Sequence, residues 1–310
     1  MGHPAVFIVE DEAIVANDIK ETLKSMGYNV VGIAKSGELA IEKVKEMKPE
    51  LVLMDIHLAG QMDGIEAAGQ IHSLYDIPVI YLTAHADTEL LERAKITEPY
   101  GYVLKPYDER ELHSVIEIAL YKHKIDYEIK KRDAILFAVS SAVEWLLRVS
   151  GPQHGTKSTS RGIDASIIGD FLEPIGFAID TSTIGIFNIH PDPKGSPSIT
   201  MKYEWTGPGI TPSIYKKELK EFTFLSLGLS RWQGLLSRGE VILSSGGNIP
   251  KEEKRFFSLL GVQSGAIVPI LVNDKLWGFI GFFHVLDRHW SVEEIEALRI
   301  TANLLGAAMG

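Results

Sequence analysis

Asp55 closes the apolar run Leu51-Val52-Leu53-Met54, and three further polar groups close runs of the same kind. Glu10-Asp11-Glu12 follows Val6-Phe7-Ile8-Val9, Thr83 follows Val79-Ile80-Tyr81-Leu82, and Lys105-Pro106 follows Tyr102-Val103-Leu104. Carboxylates, a hydroxyl and an ammonium gathered in one place suit the transfer of a phosphoryl group onto an aspartate. That chemistry needs a nucleophilic carboxylate, a metal to offset charge on the phosphoryl oxygens, and fixed donors for those oxygens. In this assignment Asp55 is the acceptor. Asp11, with Glu10, holds Mg2+ together with Asp55 and a backbone carbonyl, that of His57. Lys105 pairs with the phosphoryl group as a point charge, and Thr83 donates its hydroxyl. Mg2+ suits a site of few carboxylates and several waters.

Each residue taken singly has a plainer reading. Glu10, Asp11 and Glu12 could cap a first helix, where negative charge favours the dipole, and for Glu12 that reading is preferred. Thr83 could be a strand-end hydroxyl, Lys105 a surface charge, and the His57 side chain a bystander. Four strand ends converging on one rim is what the plainer readings leave unexplained.

The elements that would position these groups are legible between residue 5 and about 120. Apolar runs of four or five alternate there with stretches of helical period, the pattern of a doubly wound parallel sheet in an α/β domain. Strands are expected near 5–9, 29–33, 51–54, 79–82 and 101–104, with helices over 13–26, 37–47, 64–74, 87–95 and from 109 onward. Short connections and right-handed crossovers bring the strand ends to one edge, where open α/β sheets place their chemistry.

The fifth helix does not stop with the sheet. Apolar residues continue at helical spacing through Leu112, Val115, Ile118, Ile125, Ile129, Leu136, Val139, Val143 and Leu146, and neither Pro nor Gly interrupts Asp108 to Ser150. A helix of that extent is about 60 Å long, more than one small domain can cover, so a dimer seam or a connector is expected. Two helices broken near Lys122 to Arg132 are the alternative. The basic cluster Lys130-Lys131-Arg132 reads as a solvated face.

Length and composition set outer bounds. At 310 residues about two domains are expected, here 1–122, a helical connector 123–150, and 151–310, whose first helix could start near 134. The net charge of -10 is carried entirely by residues 1–122, which hold 21 acidic against 11 basic side chains. An acidic first domain argues against nucleic acid and suits a divalent cation. The longest apolar stretch, Leu276 to Phe283, is too short for a membrane helix, and no secretion signal opens the chain. The absence of Cys excludes disulfides, thiolate metal sites and thioether-linked chromophores. A cytoplasmic location is expected.

Beyond the Gly-, Ser- and Thr-rich segment Gly151 to Gly162, read as a mobile loop, the pattern changes. A helix around 164–178 precedes strands near 183–190 and 198–205, joined through the turn-rich Pro191-Asp192-Pro193-Lys194-Gly195. Strands near 240–244, 265–272 and 276–285 follow, the last two paired through an Asn273-Asp274 turn. Ser291 and Glu294 form a capping box for a closing helix to about Ala308. This half is an antiparallel α+β domain. Trp205, Trp232, Phe256, Trp277 and Phe282 could line a pocket, though most are expected to be core. His190 or His284 could bind haem, but a lone His is usually a strand or turn residue.

The motifs Val9-Glu10-Asp11-Glu12, Asp55-Ile56, Met62-Asp63-Gly64-Ile65-Glu66, Leu82-Thr83-Ala84 and Lys105-Pro106 resemble, in order, those of the receiver domain of two-component response regulators. The resemblance implies a flavodoxin-like fold, Mg2+-dependent transfer from the phosphohistidine of a cognate histidine kinase to Asp55, and slow hydrolysis afterwards. It also implies a cis bond before Pro106 and a switch role for Tyr102, for which an ordinary edge-strand aromatic is the competitor. The loop His57-Leu58-Ala59-Gly60-Gln61 is slightly longer than the family's.

Leu260-Gly261-Val262, Ala266-Ile267-Val268-Pro269-Ile270 and Leu276-Trp277-Gly278 are similar to those of a GAF domain, with a PAS-type sensor as the alternative. No ligand for it is legible, and an unliganded relay module is an equal expectation. A haloacid-dehalogenase-type phosphatase would want an acid where His57 stands, and no P-loop sequence occurs. The expectation is a phosphoacceptor switch, not a turnover enzyme, acting as a homodimer through the 109–148 helix and the second domain. The rivals are the receiver-GAF part of a larger sensor histidine kinase, and a ligand-binding adaptor with a vestigial receiver.

Overall fold

The computed structural model describes residues 3–84, 88–150, 165–192 and 195–309. Two compact units divide the chain, residues 1–129 and 130–310. In the first, strands β1 (Ala5–Val9), β2 (Asn29–Ala34), β3 (Leu51–Asp55), β4 (Val79–Thr83) and β5 (Gly101–Leu104) pair in parallel in the order β2-β1-β3-β4-β5. Helices α1 (Ala13–Ser25), α2 (Gly37–Met47), α3 (Gly64–Tyr75), α4 (Thr88–Lys95) and α5 (Glu109–Ser150) alternate with them. Every residue of β3 and β4 is buried, which is why those strands read as unbroken apolar runs. Along β1, Phe7 and Val9 enter the core on one face of the sheet, while Val6 and Ile8 enter the core on the other. Caps fix where α2 and α3 begin: Ser36 Oγ accepts from the Leu39 amide at 3.4 Å, and Asp63 Oδ1 accepts from the Glu66 amide at 2.9 Å.

Helix α5 is one uninterrupted element of 42 residues, so the break near Lys122 to Arg132 does not occur. Its first part belongs to the first unit, where Leu112, Ile116 and Ala119 are buried. Tyr28, 5% exposed, holds that part in place, its hydroxyl lying 2.8 Å from both His113 Nδ1 and Glu117 Oε1. Further along, Ile135, Ala138, Ala142 and Trp145 are buried in the second unit.

The second unit adds α6 (Ala165–Ala178), β6 (Thr183–His190), β7 (Ser198–Thr206), α7 (Lys217–Lys220), β8 (Phe222–Thr223), α8 (Ser230–Ser237), β9 (Ile242–Ser244), α9 (Lys254–Leu260), β10 (Ser264–Val272), β11 (Lys275–His284) and α10 (Val292–Met309). Its six strands form one antiparallel sheet ordered β8-β7-β6-β11-β10-β9. The segment expected to be a mobile loop, Gly151 to Gly162, lies outside the described residues, as do Pro193 and Lys194 of the β6–β7 turn. Asn273 and Asp274 both take positive φ, the conformation a two-residue hairpin turn requires. Strand β8 and helices α7, α8 and α9 went unread in the sequence, because elements of two to eight residues carry too little period to detect.

Of the five aromatics that could line a pocket, three are core. Trp232, Phe256 and Phe282 are fully buried, Trp232 and Phe256 in a cluster on one face of the sheet and Phe282 in the cluster on the other. The Trp232 and Phe256 rings meet edge to face at 5.3 Å, while Trp205 and Trp277 are half-buried at the rim of the other cluster. Both histidines bond locally: His190 Nε2 lies 2.9 Å from Thr200 Oγ1, and His284 Nδ1 accepts from the Leu286 amide at 3.0 Å.

At the start of α10 the capping box forms in full. Ser291 N donates to Glu294 Oε2 at 2.7 Å, and Glu294 N donates to Ser291 Oγ at 3.2 Å. The Glu294 carboxylate, 1% exposed, also receives Lys131 Nζ at 2.7 Å and the Arg288 guanidinium. Burial works against its charge, but Lys131, the Ser291 amide and Arg288 together hold the carboxyl below its usual range. A lowered folded-state value adds stability above the unfolded carboxylate range, and that stability is lost as pH falls through the folded value. Glu294→Gln should therefore destabilise this unit by about 2–3 kcal/mol at neutral pH, the scale of lost hydrogen bonds between charged groups. Denaturant titrations repeated toward acid should show the gap to wild type shrinking.

Candidate functional site

Strand order reverses direction between β1 and β3, because β2 lies to one side of β1 and β3, β4 and β5 to the other. A crevice opens beyond the carboxyl ends of strands at such a point. Glu10 and Asp11 directly follow β1, Asp55 is the last residue of β3, Thr83 the last of β4, and Lys105 directly follows β5. All five therefore stand at one edge of the sheet, as the sequence predicts.

The side chains converge as well. Lys105 Nζ lies 2.7 Å from Asp55 Oδ2 and 2.7 Å from Glu10 Oε2, so one ammonium bridges two carboxylates. Asp55 is 7% and Glu10 2% exposed, and Thr83 is fully buried. Carboxylate oxygens of Glu10, Asp11 and Asp55 all lie within 4.8 Å of one another. Backbone amides supply the remaining order: His57 N donates to Asp55 Oδ1 at 3.1 Å, Ala59 N to Asp11 Oδ2 at 3.2 Å, and Glu12 N to Glu10 Oε1 at 3.3 Å. Glu12 occupies the position just before α1, but its side chain makes no capping hydrogen bond. The His57 side chain points to the surface. The Lys105-Pro106 peptide is cis.

Electrostatics follow from this packing. Burial lifts the Glu10 carboxyl above its usual range, with the Asp55 charge adding and Lys105 opposing. For Lys105, burial disfavours the charge, yet its hydrogen bonds and charge pairing with Asp55 and Glu10 prevail and hold the ammonium above its ordinary value. Three carboxylates against one ammonium leave two negative charges uncompensated, the deficit a divalent cation matches. All-oxygen donors of this kind suit a hard cation such as Mg2+. The residues present fit it.

Tyr102, on β5, is half-buried, with its ring 5.7 Å from that of Tyr81. Among the described residues its hydroxyl is buried with no hydrogen-bond partner. Tyr81 is completely buried, and its hydroxyl lies 2.7 Å from Thr97 Oγ1. Sequence reasoning did not single out Tyr81 or Thr97, since nothing in an apolar strand run announces a hydroxyl pair with a loop 16 residues away.

Gly64 is a second residue whose role only the fold reveals. A Cβ there would stand 1.9 Å from the Asp55 carbonyl oxygen. Its amide donates to Ile56 O at 3.0 Å, so α3 starts hard against the strand end that carries Asp55. Gly64→Ala should therefore destabilise the first unit by about 1–3 kcal/mol, the cost of overpacking a close contact, and move Asp55 out of line. Thermal unfolding of wild type and variant checks the first effect and phosphoryl uptake the second.

Residues 6–117 match the response regulator receiver domain family, and residues 225–309 match the GAF domain family. A segment of 119 residues is 38% identical to the transcriptional regulatory protein PdtaR of Mycobacterium tuberculosis, covering 38% of this chain and 58% of that protein. A segment of 182 residues is 31% identical to the methanogenesis regulatory histidine kinase FilI of Methanothrix harundinacea, covering 58% of this chain and 19% of that one. The signal receiver domain of a modulated diguanylate cyclase from Desulfovibrio desulfuricans is 37% identical, covering 40% of this chain and 98% of that one, with a TM-score of 0.39. The chain spans less than two thirds of the length of these curated relatives.

Proposed function

We propose, for a chain that carries a response regulator receiver domain followed by a GAF domain, that it is the phosphoacceptor switch of a two-component phosphorelay. The observation that carries this reading is the buried Asp55 carboxylate, held 2.7 Å from Lys105 beside Glu10 and Asp11. Asp55 is the nucleophile: one of its oxygens attacks phosphorus of a phosphohistidine, the phosphorus–nitrogen bond breaks, and the imidazole leaves with that electron pair. Lys105 offers its ammonium to the phosphoryl oxygens as negative charge shifts toward Asp55. The Thr83 hydroxyl, at the neighbouring strand end, donates to another of them. Glu10, Asp11, Asp55 and the His57 carbonyl would hold Mg2+, which offsets phosphoryl charge when bound. Tyr102 would follow Thr83, since among the described residues no hydrogen-bond partner holds its hydroxyl in place. The donor is a cognate histidine kinase, and the chain turns over nothing beyond its own phosphorylation and slow hydrolysis.

Among the described residues no helix is long and apolar enough to cross a membrane. We place the chain in the cytoplasm, where such kinases present their phosphohistidine. Helix α5 suits pairing with a second copy: Ile129, Leu136 and Val143 recur every seven residues and are 45%, 58% and 39% exposed. Leu112, by contrast, is spent on the first unit's core, and Val139 and Leu146 are half-buried against the second. Sedimentation equilibrium should find a dimer in wild type and monomer after Leu136→Glu with Val143→Glu; equal masses would refute the pairing.

A second reading, the receiver-GAF part of a sensor kinase, is favoured by the 182-residue similarity to a histidine kinase. Phosphodonor treatment tests the switch itself: acetyl phosphate with Mg2+ should add one phosphoryl group to the full chain, and no adduct would leave only a ligand-binding adaptor. The reading frame beyond Gly310 distinguishes the kinase, which needs a His-bearing helix pair and an ATP-binding domain.

A further inference from the structure

Lys131, on α5, is the second residue of the second unit, and its ammonium pairs with a buried carboxylate of that unit. The Glu294 carboxylate it meets, at 2.7 Å, is a hub. Besides the Ser291 amide it takes Arg288, whose Nη1 also donates to Ile179 O at 2.7 Å and Asp180 O at 2.9 Å, just past the end of α6. Arg288 lies over the Trp290 ring, 4.5 Å from its centre. One buried carboxylate thus joins α5, the end of α6, the β11–α10 loop and the first turn of α10.

Two physical features make this hub able to respond. The side chains that α5 buries nearby, Ile135, Ala138, Ala142 and Trp145, join the unit's apolar core, and Lys131 adds a charged tie from this helix to Glu294. The Lys131 ammonium is a point charge on a flexible stem, so the pair can part or re-form as α5 shifts. Opening it does not orphan Glu294, because Arg288 and the Ser291 amide remain, while Lys131, 26% exposed, can return to water. Opening the pair would leave no unpaired buried charge, and the closed pair ties α5 to the first turn of α10.

We propose that the Lys131–Glu294 pair is the joint through which the state of helix α5 reaches α10. The proposal rests on the phosphoacceptor reading above for what changes α5, and Lys131 acts as a positioning residue. Couplings between sites are typically about 5–150-fold in equilibrium terms, so the response at α10 should be readable.

The test uses the full chain with acetyl phosphate and Mg2+, following amide exchange in a peptide covering residues 291–298 and phosphoryl content by intact mass. In wild type the donor should change exchange in that peptide about fivefold or more. Lys131→Met should take up phosphoryl as wild type does but show the same exchange with and without donor. Lys131→Arg, which keeps a cation at the position, should restore the response. The proposal is overturned if Lys131→Met responds as wild type does, if Lys131→Arg is as unresponsive as Met, or if phosphorylated wild type shows no change at 291–298. A wild-type chain that takes up no phosphoryl group overturns instead the reading beneath it, and the mass measurement separates that result from the others.

Discussion

Asp55→Asn, treated with acetyl phosphate and Mg2+, should show no phosphoryl adduct by intact mass under conditions that fully label the wild-type chain. An amide oxygen is too weak a nucleophile to displace the leaving group. The substitution is nearly isosteric, so the His57 amide keeps an acceptor and the sheet should be unchanged. Residual labelling of Asp55→Asn at the wild-type level would mean that another side chain is the acceptor.

Lys105→Met should slow phosphoryl uptake by about 10²–10³-fold, the cost of removing one fixed donor from a site where charge develops. Two effects add. The phosphoryl oxygens lose their ammonium, and Glu10 and Asp55 lose the cation that lies 2.7 Å from each. Without it two nearly buried carboxylates repel one another. Lys105→Arg should not rescue the rate, since a planar guanidinium cannot occupy the place of a compact ammonium between two carboxylates. Labelling time courses with a small-molecule donor measure this directly, and an unchanged rate would remove Lys105 from the chemistry.

The site was legible in the sequence because each of its groups directly ends or follows a short, fully apolar run. β1, β3 and β4 are buried on both faces, so their runs are unbroken and their ends sharply marked, and the polar residue after each run falls on the functional rim. The convergence itself needed the strand order, which short crossovers constrain but residue types do not. What stayed hidden depends on contacts distant in sequence. Gly64 is indistinguishable from any helix-start glycine until its approach to the Asp55 carbonyl is seen. The Tyr81 hydroxyl looked like part of an apolar strand, and Lys131 looked like one of three solvated cations. In the second unit the long strands β6, β7, β10 and β11 were visible through their period. The two-residue β8 and the four-residue α7 were not.

The most direct measurement is chemical trapping of the donor-treated wild-type chain with borohydride, which reduces an aspartyl acyl phosphate to a homoserine residue, followed by peptide mapping. Assignment of Asp55 as the acceptor requires a single conversion at that residue, dependent on Mg2+ and lost when the metal is chelated. Conversion at another residue, or none in a chain that carries phosphoryl label, would contradict it.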